Sequence, residues 1–361
     1  MIPRDQVRVV PGDAEYPRNQ WYVAAFSHEL EPGKLLHRTL LDEPVVLYRD
    51  RDGKPVALFD RCPHRGMPLS MGRLIKDDTL QCLYHGFEYD TNGRCSLIPA
   101  QDAVPSKMAV QRFPTVETWQ WIWTWMGDPA LADPALIPDH EQIGLTRTGW
   151  HSAPGILLRV EANYLLPFEN LVDATHISYL HHGMIDDGNV ARKDYRIEED
   201  RHIVRVIREF KNELQGSLSV EQGRVQEGQR LDRTLLLEAQ APQTFFVSIT
   251  FVPSDAPDTP PKTNRLIVML TPETARSTLQ FTADAQTFPL GDLDRRRAGI
   301  RKLLMEDVVA IEAIQKLQDR LGIDRCPEYS QKADAGALRT RKIIVEMIAR
   351  ERSLARADAA E

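Results

Sequence analysis

Apolar and polar positions alternate in short runs through the first third of the chain. Val45-Val46-Leu47-Tyr48 and Val56-Ala57-Leu58-Phe59 flank Arg51-Asp52-Gly53-Lys54, which predicts two strands joined by a tight turn. Glu88-Tyr89-Asp90 runs into Asn92-Gly93, a further turn signal. From Trp119 to Trp125 strict alternation puts four Trp on one face of a predicted strand, as packing residues. The stretch from Gly127-Asp128-Pro129 through Pro134 to Pro138-Asp139 has no periodicity and reads as a linker over 127–140. Beyond it, His202 to Ile207, Thr234 to Glu238, Phe245 to Val252 and Arg265 to Leu270 predict an antiparallel sheet. A long helix over about 292–321 covers it, with a shorter one near 334–352. The pattern divides the chain into domains at 1–126 and 141–352, with a frayed tail at 353–361. The predicted class is α+β.

Composition narrows the setting. The 361 residues, 42% hydrophobic and 27% charged, suffice for two domains with their own cores. A net charge of −7 gives no footprint for nucleic acid or an anionic membrane. Met1 to Gln6 lacks the apolar core of a leader, and no apolar run approaches a membrane span. A soluble, cytoplasmic chain is the expectation.

Chemistry enters with Cys62-Pro63-His64-Arg65-Gly66 and Cys82-Leu83-Tyr84-His85-Gly86. Two thiolates and two imidazoles from two short loops are the ligands of a Rieske [2Fe–2S] centre, where His replaces Cys on one iron and raises the potential. Structural zinc is the alternative, but its pairs are usually spaced by two to five residues, whereas Cys62 and His64 are separated by one. Pro63, Gly66 and Gly86 let backbone N–H groups approach the sulfurs. Cys95 and Cys326 remain, expected as reduced thiols.

A second ligand set is dispersed. Asp173 and His176 are three apart, neighbours on a helix face, whereas His176 and His181 are five apart, about 140° on an ideal helix. That spacing requires a π-type widening or a helix end between the histidines. By itself it leaves a metal site and ordinary core or surface histidines equally open. In the long helix, Ile300, Leu304, Ile311, Ile314 and Leu317 form an apolar face that also carries Asp307, with Glu306 and Glu312 off it. A carboxylate on such a face is costly unless paired or coordinated. Two His with a remote Asp match the 2-His-1-carboxylate triad of non-haem Fe(II) oxygenases; an Asp307–arginine ion pair is the alternative.

With both sets in view the chain resembles the oxygenase component of Rieske non-haem iron oxygenases over about residues 17–350. The resemblance rests on Cys62 to Ser70, Cys82 to Phe87, Asn170-Leu171-Val172-Asp173 leading to His176 and His181, and Glu306-Asp307-Val308-Val309. Length and Ala333 to Arg339 resemble the vanillate and dicamba O-demethylase branch. The resemblance implies a Rieske β-sandwich domain followed by a helix-grip (Bet v 1-like) catalytic domain around a hydrophobic cavity. It implies Cys62 and Cys82 on one cluster iron, His64 and His85 on the other, and His176, His181 and Asp307 on a mononuclear Fe(II). Asp173 would hydrogen-bond His176 and, in a head-to-tail homotrimer, His85 of a neighbouring chain. Asp rather than Glu at 173 argues against the quaternary-ammonium branch; Met67, where a small residue is common, is a mild departure. The implied reaction uses O₂ to hydroxylate or O- or N-demethylate a small aromatic, carboxylated substrate. No Gly-x-Gly-x-x-Gly is present, so NAD(P)H and flavin belong to a separate reductase, with or without a ferredoxin. The alternatives are a ring cis-dihydroxylating or steroid-hydroxylating member, and a Rieske electron carrier or hydrophobic-ligand module without the mononuclear iron.

Overall fold

The computed structural model describes residues 16–76, 78–185, 189–214, 216–221, 225–322, 325 and 328–358. The expectations for residues 1–6, for the Cys326 thiol and for 359–361 of the tail lie outside the described residues.

One compact unit comprises residues 18–137 with 271–274. Its strands are β1 (Trp21–Phe26), β2 (Leu36–Leu40), β3 (Glu43–Arg49), β4 (Pro55–Phe59), β5 (Arg73–Ile75), β6 (Thr79–Gln81), β7 (Glu88–Tyr89), β8 (Cys95–Leu97), β9 (Arg112–Phe113), β10 (Thr115–Thr118) and β11 (Trp121–Trp125). They form three antiparallel sheets, ordered β2-β3-β4-β9, β5-β6-β7-β8 and β1-β11-β10. The predicted hairpin is β3–β4, with Gly53 at φ +77° in its turn. Val46, Tyr48, Leu58, Leu80 and Tyr89 share one core with Cys62 and Cys82, so the loops bearing the thiols are anchored between two sheets. The tryptophan strand is shorter than predicted. Trp119 stands outside it at φ +56° in the turn after β10, so three Trp rather than four lie in the strand, and all five residues of β11 are buried. The predicted linker holds two short 3₁₀ turns, Pro129–Leu131 and Pro134–Leu136, each started by an Asp (128 and 133) whose carboxylate accepts a backbone N–H.

The other unit groups the described residues of 138–270 and 275–358 with Tyr16 and Pro17. Its centre is one antiparallel sheet of β12 (His151–Val160), β13 (Arg196–Asp200), β14 (Ile203–Leu214), β15 (Arg230–Gln240), β16 (Thr244–Pro253), β17 (Lys262–Thr274) and β18 (Ser277–Gln286). The order is β12-β18-β17-β16-β15-β14-β13. Four of these strands match the predicted segments, while β12, β13 and β18 escaped them. β18 is buried along its whole length and so shows no alternation. The helices are α1 (Leu165–Val172), α2 (Ser217–Glu221), α3 (Leu293–Leu321) and α4 (Ala335–Asp358). Asp292 caps α3 by accepting from the Asp294 and Arg295 N–H groups. The last helix continues to Asp358, so most of the expected tail is helical.

The apolar face of α3 is rotated from the predicted one. Ile300, Leu304 and Ile311 are buried with Leu303, Val308 and Asp307, whereas Ile314 and Leu317 are 47% and 45% exposed. The predicted period holds as far as Ile311; beyond it the buried side shifts to Gln315, 3% exposed, and leaves Ile314 and Leu317 outward. No described helix is long and apolar enough to cross a membrane.

Candidate metal centres

Each cysteine–histidine pair sits in a loop closed by its own backbone. The Cys62 N–H donates to Met67 O and the Gly66 N–H to Cys62 O; in the second loop Cys82 donates to Phe87 O and Gly86 to Cys82 O. Gly66 and Gly86, at φ +75° and +72°, occupy the same place in the two loops, in a left-handed conformation that costs an L-residue energy. Both thiols are buried and both imidazoles exposed. The imidazoles meet edge-on, with ring centroids 4.5 Å apart, and His64 stacks on Phe87 at 4.8 Å. The thiols are likewise neighbours: burial, then the charge and hydrogen bond of Cys62, push the Cys82 thiol up, against N–H donation from Tyr84 and His85. Tyr89 Oη lies 3.1 Å from Cys62 Sγ.

This donor set suits a cluster better than a single ion. Among the described residues, the group of three or more donors gathered within 4.8 Å of one another is His176, His181 and Asp307, not this set. A tetrahedral zinc would draw all four donors together at bond lengths of about 2.0–2.3 Å. A sulfur pair separated from a nitrogen pair fits two irons. N–H groups aimed at a sulfur fit a cluster thiolate. Cys95 is a free, half-buried thiol whose Sγ lies 3.4 Å from Leu97 O.

The second set begins where α1 ends. Pro167 is tolerated in the first turn of that helix. At the other end Asp173 turns extended, with φ −89° and ψ 111°, and its carboxylate accepts from the Thr175 N–H and hydroxyl. This starts a 3₁₀ turn, Thr175–Ser178, that carries His176; His181 follows in the next turn. Asp173 and His176 are therefore not neighbours on a helix face, and a helix end, not a π-widening, separates the histidines. Asp173 acts on His176 through charge, while its carboxylate engages Thr175.

Asp307 arrives from the buried face of α3. Its Oδ1 is 3.5 Å from His176 Nε2 and 3.2 Å from His181 Nε2, and it also accepts from Asn170 Nδ2 at 3.2 Å. The arginine considered as its alternative partner is not there among the described residues. His181 is 2% exposed, and its Nδ1 contacts Glu306 Oε2 at 2.7 Å. Burial lowers the pKa of His181, but the hydrogen bond and charge of Asp307, then Glu306, outweigh it and raise the group overall. Burial dominates at His176 and lowers it despite Asp307. Two imidazole nitrogens and one carboxylate oxygen from three places converge on a single point, and one histidine is oriented from behind by a carboxylate; this donor set fits a divalent iron with open positions.

Glu306 and Asn170 are residues to which sequence reasoning gave no role. Glu306 was dismissed for lying off the apolar face, yet that is what lets it reach the far nitrogen of His181. Behind the triad lies a cavity of about 920 Å³ including its mouth, walled by Leu235, Leu237, Phe245, Val247, Leu266 and Leu303.

The comparisons with known proteins follow this division. The Rieske [2Fe-2S] domain family matches residues 20–114, and the vanillate O-demethylase oxygenase C-terminal domain matches 160–350. The iron–sulfur subunit of the toluene-4-sulfonate monooxygenase system of Comamonas testosteroni is 33% identical over 92% of this chain and 97% of its own length. The dicamba O-demethylase oxygenase component of Stenotrophomonas maltophilia is 34% identical over 83% and 88%. The crystal structure of dicamba monooxygenase bound to 3,6-dichlorosalicylic acid superposes with a TM-score of 0.84 at 31% identity, covering 93% of this chain and 99% of that one.

Proposed function

Because this chain belongs to the Rieske non-haem iron oxygenases, as an oxygenase component in the vanillate and dicamba O-demethylase branch, we propose that it hydroxylates or demethylates a small aromatic acid. The single observation that carries the reading is the convergence of His176, His181 and Asp307 on one point at the wall of an apolar cavity. When bound, a [2Fe–2S] cluster on Cys62, His64, Cys82 and His85 supplies single electrons, and a mononuclear iron on the triad supplies O₂ activation.

The chain's own residues prepare both events. Glu306 holds the His181 ring so that Nε2 faces the open point, and Asn170 holds the Asp307 carboxylate. Leu235, Leu237, Val247 and Leu303 exclude water and receive an aromatic ring. His64 and His85 lie exposed at the tips of their loops, where an electron donor or a neighbouring chain can reach them. In this reading electrons come from a flavin-containing reductase, with or without a ferredoxin, and a head-to-tail homotrimer brings His85 of one chain to Asp173 of the next. The relatives named for toluene-4-sulfonate, vanillate and dicamba support an aromatic acid as substrate. Hydroxylation of a methoxy or N-methyl carbon would release formaldehyde.

The test is turnover under ¹⁸O₂ with a partner reductase. Incorporation of one labelled oxygen into the hydroxylated carbon is the expected result. Two labelled oxygens in a cis-diol would replace the reading by ring dihydroxylation, and none would leave an electron carrier or a ligand-binding module.

A further inference from the structure

Arg208 is a buried cation to which neither metal-ligand set gives a role. It lies on β14, is 2% exposed, and shares the buried face with Val204, Val206 and Phe210 at the two-residue period of a strand. Tyr195 packs over it: the guanidinium carbon stands 4.9 Å from the ring centroid, and the Tyr195 hydroxyl donates to Lys332 O. Two of the guanidinium nitrogens, Nε and Nη1, are buried with no hydrogen-bond partner among the described residues. A buried guanidinium with open N–H groups is costly, and a native fold that keeps one calls for a use of its charge.

The fold brings that charge to the start of the segment bearing His176 and His181. A Cβ on Gly336 of α4 would meet Val206 Cγ2 at 2.6 Å and Val172 Cγ1 at 3.1 Å. The end of α1 and the buried face of β14 therefore close on one point. Arg208 is the next residue of that face after Val206, and Asp173 follows Val172. Burial lowers the pKa of Arg208, and the negative charge of Asp173 is the first influence that opposes it. The Asp173 carboxylate directs its hydrogen bonds to Thr175 instead, the N–H at 2.7 Å and the hydroxyl at 2.8 Å. The two residues thus act on each other by charge, across a gap. A half-buried carboxylate that loses its counter-charge is drawn toward water, and the turn it closes weakens with it.

We propose that Arg208 is a positioning residue of the mononuclear site: its charge holds the Asp173 carboxylate in the turn at Thr175 that presents His176. The proposal rests on the oxygenase reading only in taking His176 as an iron ligand. The turn itself has a readout that does not involve iron, the exchange of the Thr175 amide.

The experiment is amide hydrogen exchange and chelator competition on the holoenzyme, with Arg208→Met, Arg208→Lys, Asp173→Asn and the double variant Arg208→Met with Asp173→Asn. Asp173→Asn keeps the oxygen that accepts from Thr175 and removes the charge. Arg208→Met is expected to speed exchange at Thr175 about 3- to 10-fold, within the range of coupling between neighbouring residues. The mononuclear iron should leave at chelator concentrations lower by about the same factor, while β18 amides and cluster absorption stay unchanged. Arg208→Lys should restore most of both. With Asp173→Asn already in place, Arg208→Met should add nothing, because the charge it acts on is gone. Equal effects of Arg208→Met in both backgrounds would make Arg208 a packing residue and overturn the proposal, as would a Lys variant no better than Met. If Arg208→Met fails to fold, seen as fast exchange throughout β18, Arg208→Lys decides by the same comparison: its smaller effect must vanish with the Asp173 charge. Coupled exchange at Thr175 in a protein that holds only the two cluster irons would keep the role of Arg208 and sink the oxygenase reading.

Discussion

The two proposed metal-ligand sets are encoded in the chain in opposite ways. The cluster set comes from two self-contained loops, each closed by the same pair of backbone hydrogen bonds and each with glycine at the same place. Its thiols are buried and its imidazoles exposed. The mononuclear set has no such local frame. It needs the end of α1, an Asx turn at Asp173, a 3₁₀ turn and one face of a helix far along the sequence. His181 is buried and His176 half-buried, and the set is braced by carboxylate and carboxamide contacts instead of backbone ones. Local loops make a site that spacing reveals; an assembled site exists only once the domain has folded.

The largest expected effect is therefore a reciprocal loss. His181→Ala should drop the iron content from about three to about two per chain while leaving the cluster's visible absorption unchanged. Cys62→Ser should abolish that absorption and also weaken its own unit, because Cys62 is 1% exposed within the core. Metal analysis with visible spectroscopy reads both. Bleaching of the cluster in His181→Ala would break the distinction between the sites.

The same contrast explains what the sequence disclosed. That Cys62, His64, Cys82 and His85 come together in two matching loops was legible from spacing because each loop carries its own geometry. His176 and His181 were ambiguous, since their separation fits no regular helix, and the Asx turn that resolves it depends on Asp173 abandoning the helix for Thr175. Asp307 was legible as a carboxylate on an apolar face. Glu306 was not, because its role depends on a histidine brought from another element. In the fold, alternating strands were visible, whereas β18 and the end of the α3 face were hidden: uniform burial erases alternation, and the residue buried beyond Ile311 is the polar Gln315 rather than Ile314 or Leu317.

A smaller effect sharpens the comparison at the brace. Glu306→Gln keeps the size of the side chain at His181 Nδ1 but removes its charge. Loss of such an orienting carboxylate typically weakens metal binding about 10- to 100-fold. Chelator competition should show the mononuclear iron leaving at correspondingly lower chelator, with the cluster unaffected. Unchanged iron affinity would mean that Glu306 is only a surface partner of His181.

The smallest effect separates the two cluster loops from each other. Alanine at either glycine must hold a left-handed backbone, a cost of roughly 1–2 kcal/mol. The surroundings then differ. A methyl at Gly66 would meet Arg61 Nε at 3.4 Å, an ordinary contact with a flexible side chain. At Gly86 it would meet Pro99 Cγ at 3.1 Å, part of a rigid ring that cannot move aside alone. Both Gly66→Ala and Gly86→Ala should lower the midpoint of thermal cluster bleaching by several degrees, about what 1–2 kcal/mol does to a domain of this size. Gly86→Ala should fall further, by the added cost of displacing the proline or the loop. Equal midpoints would mean that Pro99 yields freely and that the loops tolerate side chains alike; the reverse order would place the tighter packing around the first loop.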